Sequence, residues 1–189
     1  MNTLSIGSQI AGFLISALFS AYIGVVLIRL LLGFARADFH NPLSQFIVKI
    51  TNPVLIPMRR FIPAVGKIDS AAVLLAFALT VIKVALLTLV GYFAISNIPQ
   101  LLLFSLGDFI KTIIYIYIVA LIIKVVISWI GTAQGNPFLP VINSLTKPII
   151  DPIRRIVPTI GMMDFSAFVA ILLLNVLLII VTNIFNYPI

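Results

Sequence analysis

Two arginine pairs, Arg59-Arg60 and Arg154-Arg155, and one isolated lysine, Lys83, are the side chains of this chain best suited to chemistry. Paired guanidinium groups offer planar forks of N–H donors that match phosphate oxygens, so each pair could hold a lipid headgroup or a nucleotide. Neither pair is accompanied by a glycine-rich phosphate loop, which favours lipid contact and a topology signal over nucleotide binding. Lys49 and Lys147 lie in the same two stretches and add to the same positive surface. Lys83 is different, because it sits twelve residues from either end of the apolar run 71–95. That places it ~18 Å from each end by helical rise, too deep for its stem to carry the charge out to water. An ionisable group at such depth is a functional candidate by default.

The remaining polar groups offer it little. All five acids, Asp38, Asp69, Asp108, Asp151 and Asp164, fall in loops or at the ends of apolar runs, so no intramembrane carboxylate is expected to pair with Lys83. Helix capping accounts for Asp69, Asp108 and Asp164. Thr80 on the same run and Asn175 on the last one are the polar partners at similar depth. A single histidine, His40, stands close to Asp38 but reads as polar surface, and the chain has no cysteine. A disulfide, a thiolate nucleophile and a Cys- or His-based metal site are therefore not expected. No nucleophile stands beside a base, so the expectation is a non-enzyme with no catalytic residue, metal or cofactor.

These side chains are positioned by a duplicated framework. Asn41, Pro42, Thr51, Pro53, Pro57, Arg59, Arg60, Pro63, Gly66 and Asp69 recur 95 residues later as Asn136, Pro137, Thr146, Pro148, Pro152, Arg154, Arg155, Pro158, Gly161 and Asp164. Tandem repetition of one unit is the reading. Each unit is an apolar span, a Pro/Arg loop and a second apolar span. With 62% hydrophobic and 9% charged residues in 189, the chain carries more apolar surface than a soluble domain of this length could hide. Its net charge of +7 then serves to orient spans and touch anionic headgroups, and nucleic acid is not expected as a partner.

In chain order, the first repeat (1–95) holds a span at 10–33, a loop at 34–69 and a span at 71–95. A connector (96–108) follows, and the second repeat (109–189) holds a span at 109–130, a loop at 131–164 and a span at 165–184. Ala35-Arg36-Ala37 has the small-x-small form of a signal-peptidase site. The run before it is too long for a signal and lacks a basic residue ahead of it, so it reads as a retained span. Asn41-Pro42 opens a short amphipathic helix at the interface. Pro53 and Pro57 are expected to break it, leaving at most a turn or two to carry Arg59 and Arg60. Small residues recur every four along the first span, at Ser8, Gly12, Ser16, Ser20 and Gly24, a ladder that lets a neighbouring helix approach closely and that also hints at a homo-oligomer. Lys111, Trp129, Tyr92 and Tyr187 fall where interfacial anchors belong.

The loops hold eight of the twelve basic residues and the 97–107 connector none. By the positive-inside rule both loops are expected in the cytoplasm and both termini on the periplasmic side. The fold class is thus all-α, with four transmembrane helices in two parallel tandem repeats, each with an amphipathic interfacial loop.

The doubled pattern Asn-Pro, Thr-x-Pro-x-x-x-Pro-x-Arg-Arg and Pro-x-x-Gly-x-x-Asp, spread over essentially the whole chain, resembles the YggT (YlmG-like) family of bacterial and plastid membrane proteins. The resemblance implies a multi-pass protein of the bacterial inner membrane that organises or supports membrane machinery and contributes to osmotic-stress tolerance. The loop cations point to anionic lipids as partners, beside a membrane-protein partner or a second copy of the chain, and the resemblance carries over no catalytic residue. The alternative is a small cation transporter or channel subunit with a pathway lined by Lys83 and Asn175.

Overall fold

The computed structural model describes residues 5–66, 68–130, 138–156 and 165–185, and within them the chain is helical, with six helices and no named strand. The helices are α1 (Ile6–Phe34), α2 (Pro42–Phe61), α3 (Ser70–Leu89), α4 (Ile98–Ile130), α5 (Phe138–Arg154) and α6 (Phe165–Ile184). Among these, α1, α3, α4 and α6 are long and apolar enough to cross a membrane, so the chain is a multi-pass membrane protein. Large apolar side chains such as Phe13, Leu18, Phe168 and Ile179 stand exposed on their outer faces, where hydrocarbon rather than water suits them.

Each repeat is a hairpin of spans, α1 with α3 and α4 with α6, and the repeats meet where α3 packs on α4. α2 and α5 lie at the same end of the bundle, since they touch each other and share a core of Leu31, Leu32, Ile47, Ala120, Val141, Ile142 and Leu145. Two loops at one end is the parallel arrangement expected from the repeat.

The start of each helix in the first repeat is written locally. Asn41 caps α2 by accepting from Leu43 N–H at 2.9 Å, with Pro42 in the first turn, and Asp69 caps α3 by accepting from Ala72 N–H at 3.3 Å. α3 ends earlier than 95. Gly91 takes φ +88°, and Tyr92 N–H reaches back to Leu87 O while Gly91 N–H reaches Thr88 O, the paired bonds of a glycine-closed C-terminus. α1 closes with the same bonds, but Arg36 occupies the left-handed position at φ +53°.

Three expectations are corrected here. Pro53 and Pro57 do not break α2, which runs unbroken for 20 residues, and α5 likewise runs through Pro148 and Pro152. Pro53 and Pro57 lie on the exposed side, where the carbonyls they leave unbonded can be hydrated. Ile47, Thr51 and Leu55 on the other side dock against the bundle and hold the helix. Ile142, Thr146 and Ile150, the same three repeat positions, do this in α5.

The connector is not a separate segment, because α4 begins at Ile98. Asn97 Oδ1 accepts from Gln100 N–H at 2.9 Å, Gln100 Oε1 accepts from Ser96 N–H at 3.2 Å, and Pro99 sits in the first turn. Asp108 is consequently no cap. It lies inside α4, 5% exposed. The fourth-span reading, 165–184, coincides with α6 and the first-span reading differs from α1 only at its ends, whereas Trp129's side chain, Tyr187, Lys67, Asn136, Pro137, Pro158, Gly161 and Asp164 lie outside the described residues.

Candidate functional site

Three polar centres stand out against the apolar helices. The first is a buried ion pair between Lys83 Nζ on α3 and Asp108 Oδ2 on α4, with the side chains 5% and 7% exposed. This overturns the expectation that Lys83 lacks a carboxylate. Gly107-Asp108 has the form of a helix start, but nearly three turns of α4 precede it. Lys83 Nζ also donates to Ser20 Oγ on α1 at 3.3 Å, so one ammonium ties three spans together. Away from water such a pair is strongly attractive, and its loss on one side leaves an uncompensated charge.

Neither polar partner proposed from sequence reaches Lys83. Thr80 is buried but its hydroxyl donates to Ala76 O at 2.8 Å, and Asn175 is exposed on α6, its amide donating to Ile171 O at 2.8 Å. Lys83 is also nearer one end of its helix than expected. α3 stops six residues beyond it, ~9 Å by helical rise, though α1 and α4 continue past that level.

A cleft of about 740 Å³ opens beside this pair. Lys83, Asp108, Lys111 and Thr112 line its polar end, and Phe46, Phe138, Val141 and Ile142 from α2 and α5 line the apolar one. The small-residue ladder explains the space only in part. Ser16, Ser20 and Gly24 line the cleft, and a Cβ at Gly24 would meet nothing within 4 Å. Of the five rungs, Gly12 is the one in tight helix contact, since a Cβ there would fall 2.1 Å from the Tyr92 ring, while Ser8 bonds locally to Ser5. The ladder thus serves one close contact and one cavity wall.

The second centre is doubled. Arg29, 7% exposed, donates from Nη1 to Thr51 Oγ1 and to Val48 O at 3.4 Å, and Thr51 Oγ1 donates onward to Ile47 O at 2.7 Å. In the second repeat Lys124 Nζ donates to Thr146 Oγ1 at 3.2 Å, and Thr146 donates to Ile142 O at 2.8 Å. All partners are related by the same 95-residue step. Each clasp fastens an interfacial helix across the end of its span. Thr51→Val should lower stability by roughly 1.5–3 kcal/mol, the range for a lost hydrogen bond to a charged group, and Thr51→Ser should keep most of it. Thr146→Val is expected to act in the same direction. Thermal unfolding in mild detergent measures both, and equal stability of the valine and serine variants would remove the clasp from the account.

The third centre is the basic face of the loop helices. Arg59 pairs with Asp69, the cap of α3, through Nη2 with Oδ2 and through Nε to Oδ1 at 3.4 Å. Arg60, Arg154, Arg155, Lys49 and Lys147 are exposed. His40 and Asp38 do meet, Nδ1 to Oδ1 at 2.9 Å, on the open surface. Bonds from the His40 backbone N–H and then from its ring hold the Asp38 carboxyl below its ordinary pKa.

Fold and sites together define a tandem-repeat helical membrane protein in which four spans carry two clasped interfacial helices around one buried ion pair. A family model described as CCB3/YggT matches residues 8–90 and again 103–185, the same 95-residue step, and the chain belongs to that family. An "Uncharacterized protein in proC 3'region" of Vibrio alginolyticus is 44% identical over 170 residues, covering 89% of this chain and 88% of the relative. "Uncharacterized protein YggT" of Escherichia coli K12 is 37% identical over 177 residues, covering 94% and 88%. "Uncharacterized protein PA0392" of Pseudomonas aeruginosa is 38% identical over 171 residues, covering 88% and 87%. No solved structure matches.

Proposed function

We propose that this protein is a non-enzymatic component of the bacterial inner membrane that organises or supports other membrane machinery and contributes to tolerance of osmotic stress. In this reading both loop helices face the cytoplasm and both termini the periplasm. Anionic lipids and a membrane-protein partner or second copy meet the face that carries Arg59, Arg60, Arg154 and Arg155. The observation that carries it is the pair of clasped helices, α2 and α5, set side by side at one end of the bundle with their basic residues exposed. A rigid basic platform at headgroup level suits recruitment and lipid contact rather than turnover.

The test replaces all four arginines with glutamine. Each basic residue near an anionic surface contributes about 1 kcal/mol, so association with anionic nanodiscs should weaken measurably and the difference should shrink with salt. Growth at high osmolarity should fall while membrane abundance stays normal. Unchanged lipid association together with unchanged growth would overturn the platform reading.

A second reading, transport of a small cation, is favoured by one observation. The Lys83–Asp108 pair stands at the polar end of the 740 Å³ cleft instead of being sealed in a dry core. Asn175 is outside that cleft's lining and has no place in this version.

A further inference from the structure

We infer that the cavity between the end of α1 and the face of α2 is a binding site for a phosphate group, taken as the phosphodiester of an anionic lipid or as a free phosphate. The inference rests on the lipid-contact reading above and narrows it to one place. The cavity has a volume of about 600 Å³, and its charged lining is Arg29, Lys49, Arg59 and Asp69.

The charges do not balance from within. Asp69 is engaged by Arg59 and by the Ala72 N–H that it caps. It forms no ion pair with Arg29, whose guanidinium is held through Nη1 alone by two neutral oxygens, Thr51 Oγ1 and Val48 O. The Nε and Nη2 donors of Arg29 have no protein acceptor among the described residues, and Lys49 has none either. With Arg29 7% exposed as a whole residue and three cations, Arg29, Lys49 and Arg59, set against the single carboxylate of Asp69, the lining carries an excess of positive charge that a bound anion would balance.

The geometry of that anion is also indicated. Arg29 offers two N–H-bearing nitrogens from a fixed fork, Lys49 offers a mobile ammonium, and Asn52 adds an amide at the wall. A tetrahedral group with several acceptor oxygens satisfies these together, whereas a single carboxylate would leave donors unused. Leu30, Phe39 and Val48, with Gly33 and Gln45, complete the lining, and the three apolar side chains offer a surface on which the glycerol of a lipid could rest. The cavity lies one to two turns from the end of α1, the level at which headgroups meet a span.

The experiment is a calorimetric titration of the purified full chain in neutral detergent, with two probes used separately: dihexanoyl-phosphatidylglycerol below its micellar concentration, and inorganic phosphate. Saturable binding to one site is expected. Lys49→Gln, a change at an exposed side chain that should not disturb folding, is expected to weaken it about tenfold, the loss of one charge-assisted contact. Arg60→Gln, which lies outside the cavity lining, should weaken it less than twofold. Saturation by the lipid alone assigns the site to a headgroup, and saturation by both probes assigns it to phosphate in general. No saturable binding, or equal weakening by Lys49→Gln and Arg60→Gln, would overturn the site. Because Arg59 lines the cavity as well as the platform, the nanodisc comparison is made with Arg60, Arg154 and Arg155 replaced and Arg59 kept, so failure of the cavity and failure of the platform are distinguishable.

Discussion

Asp108→Leu alone should destabilise the protein by about 3–5 kcal/mol, because it leaves the Lys83 ammonium buried with only Ser20 as a partner. Lys83→Met alone should also destabilise, since it strands a carboxylate between α3 and α4. The double variant Lys83→Met/Asp108→Leu should recover most of the loss, because well-packed apolar residues often replace a buried pair at little cost. A Lys83 with no carboxylate partner, serving only as helix glue, would make Lys83→Met neutral or stabilising, and the pairing with Asp108 reverses that sign. Denaturation in mixed micelles gives the three values, and strictly additive effects of the two single changes would show that the residues do not interact. The same double variant tests conduction. If cation flux in liposomes disappears in a protein that still folds, the transport reading gains; if wild type and double variant carry the same flux, the pair has no role in a pathway.

Gly107→Ala should cost about 1–3 kcal/mol, and Gly107→Leu more, through overpacking between α4 and α6. A Cβ at this position falls 2.6 Å from the Cβ of Phe185 and 2.8 Å from its Cγ. The Cβ is fixed to the backbone and cannot swing aside, so relief requires the two segments to separate. Gly12→Ala meets only the Tyr92 ring, which can rotate away at the expense of its hydroxyl bond to Gln9 O at 3.1 Å, and should cost less. Gly24→Ala, where a Cβ meets nothing within 4 Å, is the control. Thermal unfolding of the four variants gives the order, and a Gly107→Ala protein as stable as Gly24→Ala would refute the close approach. Gly107 and Gly12 are one repeat step apart, so a single packing device closes both hairpins.

The repeat, the four spans and the caps at Asn41 and Asp69 were legible because each depends on residues close in sequence: a 95-residue step, runs of apolar side chains, and a polar cap one turn from its target. The errors share a cause. Proline penalties were weighed without the docking of Ile47, Thr51 and Leu55 that outweighs them. Gly107-Asp108 has the form of a helix start, but Asn97, Pro99 and Gln100 make a stronger one upstream. A signal for the missed ion pair did exist: once α4 starts at Ile98, Asp108 falls inside a span, and Lys83 and Asp108 become the charges that adjacent spans must reconcile. The clasps are half legible, since Arg29 and Lys124 stand one 95-residue step apart in the sequence. Their partners Thr51 and Thr146 were noted as repeat markers, but only packing brings residues 22 apart into contact.

The order in which the two buried charges leave the ribosome sets a problem of assembly. Lys83 on α3 leaves the ribosome before Asp108 on α4, and each charge at depth costs a lone helix about 2.5–3.5 kcal/mol on insertion scales. The rest of α3 is apolar enough to offset this, so the lysine can wait in the membrane uncompensated. α4 then arrives after a turn of only a few residues, and the carboxylate it carries is drawn to the ammonium already in place. A first repeat made without α4 is therefore expected to be less stable in the membrane than the full chain, because it holds a charge whose carboxylate partner lies on the second repeat.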